Sequence, residues 1–162
     1  MITIGDKELL TLKRAVLNEE EGYQFYTLAA QQTRDEATKS AFAFLAEEES
    51  KHKSWLLELY RQKANPLKPA PILEYSSPGV FRPANAKTES GSLEVSVYGI
   101  GILMEKASRE FYRQAAEEAE SEELKAVYLH LAEWETGHLE MLEKIYEQLK
   151  EDWWDQQGFS PS

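Results

Sequence analysis

Two long stretches of the chain carry apolar residues at helical spacing, and each stripe is broken near its middle by a carboxylate. One stripe runs Leu12, Ala15, Val16, then Glu19, then Gly22, Tyr26, Ala30. A second runs Phe42, Leu45, then Glu49 and His52, then Leu56 and Leu59. A third gives Tyr98, Ile102, then Glu105, then Ser108, Tyr112, Ala116, and a fourth Tyr128, Leu131, then Glu135 and His138, then Leu142 and Ile145. Proline confirms the division. None occurs between Asp6 and Lys63 or between Ser92 and Gln157, whereas Pro66, Pro69, Pro71, Pro78 and Pro83 crowd the middle. Thr33 and Asp35 in the first stretch, and Ser121 in the second, supply N-cap side chains at the weak points. The pattern predicts four helices, about 6–32, 35–63, 91–119 and 122–150, each roughly 40 Å long at 1.5 Å per residue. The fold class is all-α. Two hairpins, 6–63 and 91–150, joined by a long crossover over 64–90, form a four-helix bundle domain spanning 1–152, with an irregular tail over 153–162.

The two hairpins are copies. With a shift of 86 residues, 19–62 lies on 105–148 without a gap and 15 of 44 pairs are identical. Helical composition accounts for some Ala, Leu and Glu matches. It does not account for Phe25/Phe111, Tyr26/Tyr112, His52/His138 and Tyr60/Tyr146 in one register.

The repeat changes how the interrupting residues read. A His three residues after a Glu on a helix shares its face, and a single such pair is common by chance. Two pairs, Glu49/His52 and Glu135/His138, in register with the repeated Glu19 and Glu105, place four carboxylates and two imidazoles in one layer of the core. Buried carboxylates without a counter-charge protonate instead. Four ionised Glu and two neutral His carry −4, and two divalent cations cancel it. One Glu from each of two helices and a Glu-x-x-His from each of the other two is the dinuclear arrangement of ferritin-like bundles. Oxygen donors with one imidazole per ion suit Fe²⁺ or Mn²⁺, and Zn²⁺ can occupy the same set. Glu20, Glu21, Glu47, Glu48 and Glu133 are expected on solvated flanks. His130 is expected to be structural or exposed, and Trp55, Trp134, Trp153 and Trp154 to be packing residues. Gly99 and Gly101 are expected to let helices approach closely.

Composition narrows the function classes. The 162 residues hold 18 Lys plus Arg against 29 Asp plus Glu, a formal charge of −11, which argues against nucleic acid and anionic membrane as partners. The absence of Cys removes disulfides, thiolate nucleophiles and thiolate-ligated iron. No apolar run approaches a membrane span, and Met1 to Arg14 lacks the basic start and apolar stretch of a signal peptide, so the expected location is the cytoplasm.

The segments Glu-Glu-Glu-Gly-Tyr-Gln-Phe-Tyr (19–26), Glu-Ser-Lys-His (49–52), Glu-Lys-Ala-Ser-Arg-Glu-Phe-Tyr (105–112) and Glu-Thr-Gly-His (135–138) resemble the rubrerythrin-type diiron branch of the ferritin-like superfamily. The resemblance covers about residues 6–150. It implies Glu19 and Glu105 as terminal ligands, each seven residues before a Tyr, Glu49 and Glu135 as bridges, and His52 and His138 completing two irons. Where rubrerythrins carry a further Glu that exchanges with a His on oxidation, this chain has Ser108, and the set resembles the more symmetrical site of bacterioferritins. The rubredoxin domain usual in that branch has no counterpart in a chain without Cys, so the resemblance implies a separate electron donor protein. It also implies a homodimer. The function expected is a non-haem diiron oxidoreductase that reduces H₂O₂ or O₂, with Tyr26 and Tyr112 hydrogen-bonding the opposite carboxylates. The alternatives are a ferroxidase or iron-handling protein and a metal-stabilised helical binding module without turnover.

Overall fold

The computed structural model describes residues 5–64 and 93–158. It contains four helices: α1 (Asp6–Gln32), α2 (Glu36–Lys63), α3 (Leu93–Glu118) and α4 (Glu122–Gln156). No strand occurs among the described residues. The hairpin turns are closed by the capping residues the sequence suggests. The Asp35 carboxylate accepts from the Thr38 backbone N–H and hydroxyl, and the Ser121 hydroxyl accepts from the Leu124 N–H. The second turn is also tied to the first hairpin. The Glu8 carboxylate accepts from the backbone N–H of both Glu120 and Ser121 at 2.8 Å.

Packing assigns the directions of the helices. One apolar cluster gathers Leu12, Val16, Leu56, Tyr60, Tyr112, Tyr128 and Leu131. The other gathers Tyr26, Phe42, Leu45, Tyr98, Ile102, Leu139 and Leu142. The first therefore joins the start of α1, the end of α2, the end of α3 and the start of α4, and the second joins the four opposite ends. α1 lies antiparallel to α2 and to α3, and α2 ends at the opposite end of the bundle from the start of α3. This is the ferritin-like arrangement of a crossed four-helix bundle. The expected crossover over 64–90 lies outside the described residues apart from Ala64.

α3 is described from Leu93, and its expected start at 91 lies outside the described residues. α4 continues through Gln156, so the expectation of an irregular tail from Trp153 is corrected. No Pro or Gly interrupts the chain between Gly137 and Gly158, and Trp153 packs against the cluster that holds Tyr146 and Leu149. That apolar contact carries the helix past the charged run Lys150-Glu151-Asp152. It stops where Gly158 takes φ +80°, a left-handed conformation that suits glycine at a helix C-terminus. The glycines of α3 do what their positions suggest. A Cβ on Gly99 would meet the Tyr146 ring at 3.5 Å, and one on Gly101 would meet Leu142 at 3.3 Å.

Candidate metal centre

Between the two apolar clusters, each helix contributes to one polar layer. Glu19 and Glu105 are 0% exposed, Glu49 1%, Glu135 0%, and His52 and His138 4% each. Their ligand atoms form two overlapping groups, Glu19/Glu49/His52/Glu135 and Glu49/Glu105/Glu135/His138, within each of which all the atoms lie within 4.8 Å of one another. Glu49 and Glu135 belong to both groups, the placement a bridging carboxylate needs. His52 Nδ1 stands 3.6 Å from Glu19 Oε2, and His138 Nδ1 stands 3.4 Å from Glu49 Oε1 and 3.6 Å from Glu105 Oε1. The imidazole rings face each other with centroids 6.1 Å apart.

Two tyrosines brace the layer crosswise. Tyr26 on α1 donates its hydroxyl proton to Glu105 Oε1 on α3, and Tyr112 on α3 donates to Glu19 Oε1 on α1. Each terminal carboxylate is thereby held by the other hairpin through one oxygen. Both phenols are pushed well above their ordinary range, by burial first and then by the facing carboxylate, so they remain donors.

The charge balance of the layer shows what it lacks. Burial, then the fields of Glu19 and Glu135, push Glu49 well above the usual carboxylate range. Burial, then the fields of Glu105 and Glu19, do the same to Glu135. Burial also acts to raise Glu19, but the approach of Glu49, the His52 imidazole and the Tyr112 hydroxyl outweighs it and holds that group low. Burial works against a charged His138, and the Glu105 carboxylate, 3.6 Å from its Nδ1, reverses this and raises it. Protons thus stand in for missing positive charge. Glu19 Oε2, Glu105 Oε2, both oxygens of Glu49 and Glu135, and both ring nitrogens of His52 and His138 are buried without a hydrogen-bond partner. Buried polar atoms are normally satisfied, and so many orphans converging in one layer fit a pair of cations that would take them as ligands. Carboxylate oxygens and imidazole nitrogens are also the right donors for Fe²⁺ or Mn²⁺.

The surroundings hold residues that sequence reasoning assigned otherwise or passed over. Asn18 Nδ2 donates to Ser108 Oγ at 2.9 Å, across the hairpins, with both side chains fully buried. The signal for Asn18 was present in the repeat, since its counterpart is the apolar Met104. Glu48, expected on a solvated flank, has a side chain only 13% exposed and accepts from Trp134 Nε1 at 3.0 Å. Burial under the indole of the other hairpin corrects that expectation. Glu20 pairs with Lys53 at 2.6 Å, and Glu47 and Glu133 are exposed. His130 is exposed, between the rings of Trp55 and Trp134. These three residues, with Glu48, Lys51 and His52, line a surface cleft of about 420 Å³. Trp134 meets the His52 ring edge-on at 4.7 Å, so the cleft leads to a residue of the polar layer.

A crossed four-helix bundle with a buried layer of four carboxylates and two imidazoles is a ferritin-like protein with a site built for metal. Within that class the rubrerythrin family profile matches residues 11–146, and the chain belongs to that family. A solved structure described as a hypothetical protein from Pyrococcus furiosus is similar at 27% identity and a TM-score of 0.65, covering 88% of this chain and 89% of its own. No curated protein matches. No helix among the described residues is long and apolar enough to cross a membrane.

Proposed function

We propose that the chain is a non-haem diiron oxidoreductase that reduces H₂O₂, with Glu19, Glu49, His52 and Glu135 holding one ion and Glu49, Glu105, Glu135 and His138 the other. The observation that carries this reading is the convergence of unpartnered, fully buried carboxylate and imidazole atoms in one layer. When bound, a pair of Fe²⁺ ions supplies the two electrons that convert one H₂O₂ and two protons into two waters. The protein's part is placement. Tyr26 and Tyr112 each fix one oxygen of Glu105 and Glu19, and the second oxygen of each is buried without a hydrogen-bond partner. The apolar clusters on either side keep bulk water out, which strengthens every charge interaction within. The cleft beside His52 offers a path on which a molecule as small as H₂O₂ approaches the layer.

In this reading the electrons for the next cycle come from a separate donor protein. The active assembly is a homodimer, which light scattering tests.

The test is rapid mixing of Fe²⁺-loaded protein with H₂O₂ or O₂, followed by ferric absorbance. Fast oxidation by H₂O₂ and slow oxidation by O₂ is expected. Rapid O₂ consumption with ferric iron leaving the protein favours the iron-handling reading instead. No oxidation by either leaves a metal-stabilised binding module.

A further inference from the structure

The polar layer is closed on most sides. The two apolar clusters cap it at either end of the bundle. Helix packing closes its flanks within each hairpin, where α1 runs along α2 and α3 along α4. The seam between α1 and α3 is laced by buried side chains: Tyr26 to Glu105, Tyr112 to Glu19, and Asn18 to Ser108 at 2.9 Å. A groove of about 610 Å³ on the outside of α1 and α2, with Tyr23, Ala43 and Ser50 in its walls, includes none of the six ligand side chains.

The seam between α2 and α4 is built differently. Among the described residues these two helices are not packed along each other, so side chains have to close the gap. The Trp134 indole on α4 lies edge-on to the His52 ring at 4.7 Å, and its Nε1 donates to Glu48 Oε2 on α2 at 3.0 Å. Outside it is the cleft of about 420 Å³ that has His52 itself in its wall. The indole is 40% exposed, so it can leave its place without disturbing the core, and the cleft has room to receive it. Trp134 and Glu48 are one repeat pair, as are His52 and His138, whose rings lie 6.1 Å apart. The axis relating the hairpins therefore passes through the Trp134–Glu48 contact and between the imidazoles.

We infer that Trp134 is the gate of the metal centre. Hydrogen-bonded to Glu48, it closes the α2–α4 seam over His52. Swung out into the cleft, it opens a passage for a divalent cation or for H₂O₂, and its bulk turns away larger hydroperoxides. The inference rests on the two-ion reading above, and the test separates the failure of one from the failure of the other.

A gate has a signature that a packing residue lacks. An ion crosses the same barrier on entry and on exit, so removing the barrier speeds both by one factor and leaves their ratio, the affinity, unchanged. Trimming a residue that only props His52 in place loosens a ligand and lowers the affinity instead.

The experiment follows Co²⁺ by its visible d–d absorbance, as uptake by the metal-free full chain and as release to excess EDTA. Trp134→Phe keeps a ring and removes the N–H. It is expected to raise both rates about 10-fold, the factor carried by one hydrogen bond to a charged group, with their ratio at the wild-type value. Trp134→Ala raises both further. Trp55→Phe, elsewhere in the cleft wall, changes neither. In the Fe²⁺-loaded protein, Trp134→Ala narrows the preference for H₂O₂ over tert-butyl hydroperoxide relative to wild type, read as ferric absorbance. Circular dichroism identifies a variant that has not folded, and should Trp134→Ala be one, Trp134→Phe in both assays decides. Unchanged Co²⁺ rates, faster release with uptake unaltered, equal acceleration in Trp55→Phe, or an unchanged preference between the hydroperoxides overturns the inference and leaves the two-ion reading standing. No Co²⁺ bound by the wild-type chain overturns both.

Discussion

The α1–α2 and α3–α4 hairpins are nearly interchangeable at the polar layer and differ at the residues just outside it. Glu, Glu-x-x-His and Tyr recur at the same repeat positions, while Asn18 bonds Ser108 and their repeat counterparts are Met104 and Gly22. Trp134 and Glu48, which touch each other, are themselves one repeat pair that has diverged completely. Residues that must neutralise a shared charge tolerate little change on either copy. Their neighbours are released from that constraint and have diverged between the two copies.

The most damaging way to break the comparison is to remove a residue shared by both metal groups. Glu49→Ala and Glu135→Ala are each expected to abolish tight binding of both ions, measured by metal analysis of protein purified without chelator. Two ions still bound tightly in both variants would show that the ligand assignment is wrong. Glu19→Ala and Glu105→Ala should be milder, each weakening mainly one position in the same assay. Tyr112→Phe and Tyr26→Phe remove only the brace on those carboxylates, and a loss of about 10-fold in metal affinity is expected from each.

Protonation sharpens the contrast between empty and loaded layers. In the metal-free protein Glu49 and Glu135, both raised by burial first, and His138, raised against its burial by the nearby Glu105 carboxylate, all hold protons more firmly than in the unfolded chain. For such groups the stabilisation is complete below the unfolded value, 4.5 for the two carboxylates, and is lost as pH rises through their folded values. Glu19, which is held low, acts oppositely, contributing above 4.5 and losing that contribution as pH falls through its folded value. Between about 4.5 and 6.5 the two raised carboxylates set the slope, since Glu19 acts below 4.5 and His138 only above 6.5, so the melting temperature of the metal-free protein should fall as pH rises through that window. The loaded protein should show the reverse, because ions and protons compete for the same atoms. Scanning calorimetry with and without metal reads both slopes, and parallel slopes would contradict the account. The smallest effect is local. Ser121→Ala removes the N-cap of α4 and should cost about 1 kcal/mol in denaturant unfolding, without touching metal content.

Much of this was legible in the sequence because it depends on local rules or on repetition. Proline placement and capping residues mark the helices, and the 86-residue register singles out Glu19, Glu49, His52, Glu105, Glu135 and His138, the residues that the fold brings within reach of one another. The crosswise pairing of Tyr26 with Glu105 and Tyr112 with Glu19 was also expected from the family resemblance. What escaped depends on which faces meet. Asn18 and Ser108 are 90 residues apart, and their hydrogen bond appears only when α1 and α3 are packed together. Glu48 reads as one more acid on a helix rich in them until Trp134 covers it. The end of α4 lies beyond its expected bound because Trp153, past the charged Lys150, Glu151 and Asp152, finds apolar contacts that local sequence does not reveal.

The crosswise tyrosines also bear on how such a chain could come to exist. Since each terminal acid is anchored from the opposite hairpin, one hairpin by itself has neither a complete ligand shell nor a brace for the ligand it owns. Two separate copies would assemble the centre only at concentrations where they meet. Joining them end to end replaces that encounter with an effective concentration on the order of millimolar, so even a scarce protein keeps its halves together.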